Sequence, residues 1–131
     1  MEFVNPTFVM LWAAALAAIL ALAHSVIGER ALIRPLLAEK AGVLENPVYA
    51  KVTRLAWHWT SLLWLLAAAV LALAAYGEIA VPWLVLAIGI GHLAFGLFDL
   101  AWTKGRHVSG APIAFVGLLA CLAVMASAPP A

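Results

Sequence analysis

Ionisable side chains are rare in this chain, and where they occur they fall in patterns that could do chemistry. The stretch "ALAHSVIGER" places His24, Ser25, Glu29 and Arg30 at the end of a long apolar run. Further on, Arg54, His58 and Ser61 follow an i, i+4, i+7 spacing that stacks them on one helix face. His92 and Asp99 share a face in the same way, and His107 follows in "TKGRH". Two imidazoles at matched depth on different helices are what a b-type haem requires, and His24 with His58 meets that condition. Imidazoles joined by a carboxylate suit zinc, iron or manganese, with His24, His58, His92, Asp99 and Glu29 as the candidate ligands. Ser25, Arg54, Ser61 and His107 would complete a polar network around them.

Other chemistries lack their signatures. The chain has no H-E-x-x-H, no cysteine pair, no phosphate-binding glycine loop and no serine-nucleophile elbow. No residue is therefore assigned a catalytic role, and enzymatic activity ranks below a histidine-lined polar cavity in the cytoplasmic half that binds haem or a transition metal, and below two further non-catalytic readings. In one, Arg30, Arg54 and Arg106 stand at headgroup level and the polar cavity takes an anionic lipid or quinone head group. In the other, the protein is an accessory or regulatory subunit, or a homo-oligomer, and the polar residues satisfy one another. Asp99 would then pair with Lys104 or Arg106, Glu29 with Arg54, and the histidines with serines or backbone carbonyls. Pairing has a physical motive, because an ionised side chain at the bilayer centre is unfavourable by roughly 2.5–3.5 kcal/mol on insertion scales. His92 lies nearest that centre and needs an interior partner or a ligand.

The elements that must position these residues are read from composition and run length. Hydrophobic residues make up 67% of the chain and charged residues 10%, and the mean hydropathy is +1.10, values that belong in a bilayer. The formal charge of +1 excludes a nucleic-acid partner as the leading reading. Each crossing needs about 20 residues, so the chain is expected to form a single transmembrane domain of helices at about 7–27, 47–76, 82–103 and 111–128. Asn5-Pro6, Asn46-Pro47, Pro82 and Pro112 mark helix starts, and Gly77 marks a stop. Between the first two spans, Leu32, Ile33, Leu36 and Leu37 beside Arg30 and Arg34 are expected to form a short interfacial helix.

The second helix begins about two turns before the membrane, which it enters near Leu55, so all 7 Lys and Arg residues fall between the first and second or the third and fourth membrane segments. By the positive-inside rule this gives an N-out, C-out bundle with both termini periplasmic, in a bacterial inner membrane. Ala21-Leu22-Ala23 resembles a signal-peptidase site, but no basic residue precedes the apolar run, so cleavage is disfavoured. Trp83 and Tyr76 mark the outer interface and Trp57, Trp59 and Trp102 the inner one, while Trp12 and Trp64 lie deeper. Ala13, Ala17 and Ala21 on the first span and "GIGHLAFG" on the third suggest close approach of those two helices. Gly91 and Gly96 could instead leave room beside His92 for a flat ligand. The single cysteine, Cys121, reads as a small hydrophobe.

The elements "HSVIGE", "RLAWHWTSLLW", "GHLAFG" and "TKGRHVS", in this order, resemble a group of small four-helix bacterial integral membrane proteins of uncharacterised function. The resemblance implies the four-helix topology and draws attention to His24, Ser25, Glu29, His58, His92 and His107. It implies no mechanism.

Overall fold

The computed structural model describes residues 5–127 as an all-α protein. Helix α1 spans Pro6–Gly28, α2 Arg34–Ala38, α3 Pro47–Ala75, α4 Pro82–Thr103 and α5 Gly110–Ser127. Four helical stretches are long and apolar enough to cross a membrane, namely Pro6–Ala38, Pro47–Ala75, Pro82–Thr103 and Gly110–Ser127. The first stretch combines α1, which itself ends at Gly28, with the turn after it and α2, and the end expected at 128 for the last span falls outside the described residues.

Helix starts follow the chemistry of the unpaired N–H groups in the first turn. Asn5 accepts from the Phe8 N–H at 3.2 Å and Asn46 from the Val48 N–H at 2.9 Å, and in each case proline follows where no donor is needed. Helix α3 stops at Gly77, whose φ of +75° most side chains would resist. The short helix expected after the first span is α2, and it follows α1 without a break. The α1 helix runs on through one widened turn, Glu29–Ile33, in which the Arg34 N–H reaches the Glu29 carbonyl, and continues directly into α2. Such a turn adds one residue to the helical repeat and changes the face presented beyond it. Ile33 is turned inward as a result, at 3% exposure.

Neighbouring helices are antiparallel, and the register can be read from contacts. Ala17 packs with Ala68 of α3 and Val116 of α5, while Met10, Ala13 and Ala14 share a cluster with Leu71, Val85, Ala120 and Ala123. Helix α1 is therefore central between α3 and α5. Helix α4 packs on the far side of α5, and α3 meets α4 only sparsely.

This arrangement corrects the pairing expected from the small residues. The alanines of α1 face α3 and α5, whereas Gly89 and Gly96 of α4 face α5. A Cβ at Gly96 would collide with the Ala114 backbone, and one at Gly117 with the backbone of Leu93 and Gly89. These contacts leave α4 and α5 touching through main chain, as small residues permit in membranes. Cys121 belongs to the same packing, its Sγ lying 2.8 Å from where a Gly89 Cβ would stand.

Because the helices alternate in direction, every loop bearing Lys or Arg lies at one end of the bundle. The opposite end holds the cluster of Met10, Leu71, Val85 and Ala123. Trp83 and Tyr76 are exposed at that apolar end, and Trp59 and Trp102 at the basic one, the distribution of an aromatic belt.

Candidate functional site

The polar residues of α1 and α3 interlock near the basic end. His24 Nδ1 on α1 is 2.9 Å from Ser61 Oγ on α3, and Ser25 Oγ on α1 is 2.8 Å from His58 Nδ1 on α3. Each helix thus contributes one imidazole and one hydroxyl to a reciprocal pair of bonds. The antiparallel register produces it, since moving down α1 by one residue corresponds to moving up α3 by about one turn. Ser61 is the buried polar residue of the clasp, and its bond to His24 satisfies an atom that would be costly to leave alone.

Trp57 reinforces the clasp in two ways. Its ring stacks on His24 with centroids 4.0 Å apart and planes at 13°, and its indole N–H donates to the His24 carbonyl at 3.0 Å. Gly28 makes this possible, because a Cβ there would overlap the indole. Trp64 stands on the other side, 5.2 Å from His24 and 6.5 Å from His92 between ring centroids.

Toward the basic end the network becomes ionic. Glu29 Oε1 is 3.2 Å from Arg54 Nε, the pairing expected from the sequence. Its Oε2 lies 3.5 Å from His58 Nε2, an ion-pair distance that is too long for a good hydrogen bond, and this shielded oxygen has no closer partner among the described residues. His58 therefore links Ser25 to Glu29, and Glu29 links His58 to Arg54.

Two other candidates lie elsewhere. Asp99 at the end of α4 pairs with His107, Oδ2 to Nδ1 at 2.8 Å, rather than with Lys104 or Arg106 as expected. The left-handed turn at Lys104 and Gly105 folds the chain back so that His107 arrives over Asp99. His92 Nδ1 donates to the Ile88 carbonyl at 2.9 Å, and its Nε2 is shielded with no protein partner among the described residues. His92 and Asp99 are separated by about 10 Å along the helix axis.

The structure thus divides the sequence-derived set into three groups. His24, Ser25, Glu29, Arg54, His58 and Ser61 come together, Asp99 joins His107, and His92 stands apart across Trp64. Among the described residues no three His, Cys, Asp or Glu side chains converge as a metal-binding group. Both imidazoles considered for haem have Nδ1 on a serine of the facing helix, and His24 lies flat against Trp57. Sequence reasoning sets Trp57 beside the Arg54, His58 and Ser61 face but misses its stacking on His24 and the role of Gly28. Their signal was available only as a bulky ring and an absent side chain on separate helices.

Beside His58 the basic end opens into a cleft of about 870 Å3 between α2 and the first half of α3. Arg34, Lys40, Lys51 and Arg54 line it with one carboxylate, Glu45, and Leu37, Leu44 and Leu55 supply apolar wall. Lys40 is held at φ +47°, a conformation uncommon for a residue with a side chain.

Four apolar spans with a basic, amphipathic cleft at one end define a multi-pass α-helical membrane protein. Comparison of the chain with known protein families, curated proteins and solved structures returned no match.

Proposed function

We propose that the protein is a single-domain binding protein of the bacterial inner membrane whose basic-end cleft accepts the head group of an anionic lipid. The observation that carries this reading is the cleft lining, in which Arg34, Lys40, Lys51 and Arg54, the last also paired with Glu29, stand with one acidic lining residue, Glu45, beside His58. Its volume, about 870 Å3, lies within the range of small-molecule sites, and Leu37, Leu44 and Leu55 add apolar lining. Basic pockets at the cytoplasmic ends of membrane helices are suited to phosphate-bearing head groups. With the basic end cytoplasmic, both termini are periplasmic.

The polar clasp gives His58, which lines the cleft, a fixed orientation. Its Nδ1 bond to Ser25 and its contact with Glu29 hold the ring from both sides. The clasp also explains the bonds of His24 and His58 without a haem or metal, which is why head-group binding is preferred to either.

Purified protein in neutral detergent, supplemented with phosphatidylglycerol or with phosphatidylcholine, tests the proposal. The anionic lipid should raise Tm and the zwitterionic lipid should not. Lys51→Glu together with Arg34→Glu should remove the difference, and 0.5 M salt, roughly, should reduce it. Equal stabilisation by the two lipids would refute the reading.

A further inference from the structure

The basic cleft holds one group that an anion alone does not account for. Arg34 of α2, Lys40, and Lys51 and Arg54 of α3 line it, and so does Glu45. Among the described residues the ion pairs are Arg54 with Glu29, His58 with Glu29 and His107 with Asp99. Glu45 therefore stands in the cleft with Arg34, Lys40 and Lys51 and pairs with none of them. Nor does it cap the helix that follows, because Asn46 makes that bond, accepting from the Val48 N–H at 2.9 Å. Glu45 is exposed, and its charge opposes that of a phosphate entering the cleft.

Its place in the cleft gives it a use. Along α3 the lining runs from His58 through Arg54 and Lys51 to Pro47, about 16 Å by helical rise. Arg54 and His58 are at the end nearest the apolar part of α3, and Glu45, in the turn Gly42–Glu45, lies just before the helix start at the other end. Lys51 and Pro47 are about 6 Å apart along the axis, a span that a three-carbon head group covers from a phosphate held at Lys51. A carboxylate only accepts hydrogen bonds, so the partner that Glu45 selects is a donor. An ammonium donor meets the repulsion of Arg34, Lys40 and Lys51, whereas a hydroxyl carries no charge and escapes it.

We propose that Glu45 is the specificity-determining residue of the cleft, accepting a hydroxyl of the head group and so selecting a polyol phosphodiester over one of equal charge without hydroxyls. The inference rests on the head-group binding proposed above and adds to it which class of anionic lipid is taken.

The test uses the full chain in neutral detergent, with apparent affinity read from Tm as lipid is titrated. Phosphatidylglycerol is compared with phosphatidylpropanol, which has the same charge and head-group length but no hydroxyl, and with phosphatidylcholine. The unsubstituted protein should bind phosphatidylglycerol about fivefold or more tighter than phosphatidylpropanol, the gain expected of a hydrogen bond to a charged group. Glu45→Ala should remove that preference by weakening phosphatidylglycerol alone, and Glu45→Gln, which keeps an acceptor oxygen, should retain part of it. Equal affinity for the two anionic lipids, both above phosphatidylcholine, would overturn this inference and leave the head-group reading standing, as would a preference that survives Glu45→Ala. No gain of either anionic lipid over phosphatidylcholine would overturn the head-group reading and this inference with it. Stabilisation by glycerophosphoglycerol, the same head group without acyl chains, equal to that by the lipid would overturn the assignment to a lipid.

Discussion

The α1–α3 and α4–α5 interfaces solve the same problem, holding two antiparallel apolar helices together, by opposite means. Between α4 and α5 the contact is main chain against main chain, seated at Gly89, Gly96 and Gly117. Between α1 and α3 it is made by side chains, with the His24–Ser61 and Ser25–His58 bonds and the Trp57 ring between the helices. Lipid offers no hydrophobic gain for bringing apolar helices together, so association must come from packing or from polar bonds. The α4–α5 pair uses the first and has no room for chemistry. The α1–α3 pair uses the second and leaves its polar atoms next to a cleft.

Substitutions should separate the two modes. The largest effect is expected at Gly117→Leu and Gly96→Leu, where added carbon has only backbone to displace. Each should destabilise by about 3 kcal/mol or prevent folding, as read by denaturation in mild detergent. Gly91→Ala on the same α4 helix serves as the contrast and should change stability by no more than about 0.5 kcal/mol, because nothing lies within reach of the new methyl group.

At the polar interface the effects should be smaller and coupled. Ser61→Ala leaves His24 Nδ1 without its hydroxyl and should cost about 0.6–2 kcal/mol, the range found for interhelical polar bonds in membranes. Combined with His24→Phe the losses should be non-additive in a double-mutant cycle, whereas Ser61→Ala with Gly96→Ala should be additive. Additivity in the first pair would mean that the clasp does not operate as a bond. Trp57→Phe keeps the stacked ring and loses the indole N–H, so it should cost about 0.5–1.5 kcal/mol.

The smallest effect is expected for the ion pair. Glu29→Gln should shift stability by about 0–1 kcal/mol, since the Arg54 side chain is 47% exposed. The same substitution should nevertheless alter lipid preference if His58 is oriented from this side. Anionic-lipid stabilisation measured in parallel with Tm would distinguish these roles.

Much of the scaffold was legible in the chain. Asn5-Pro6, Asn46-Pro47, Pro82 and Gly77 announce helix ends through local backbone chemistry, and the structure places ends there. The Glu29–Arg54 pairing was also foreseeable, because both lie near the basic ends of neighbouring spans. The continuous passage from α1 into α2 was not, since a single widened turn leaves no clear periodicity signal in so short a segment. Nor was Asp99 with His107, which depends on a chain reversal at Lys104 and Gly105 rather than on the nearest opposite charge.

The sequence by itself determined that this is an all-α chain with four apolar spans and that its Lys and Arg residues collect at one end. Those properties follow from run length, hydropathy and the alternation of spans and loops, none of which needs a partner helix. Only the tertiary structure decided which small residues meet, that His24 and His58 bond to serines, and that His92 stands apart from them. The reason is rotational: spacing along one helix defines a face, but which neighbour that face meets depends on how all the helices pack together.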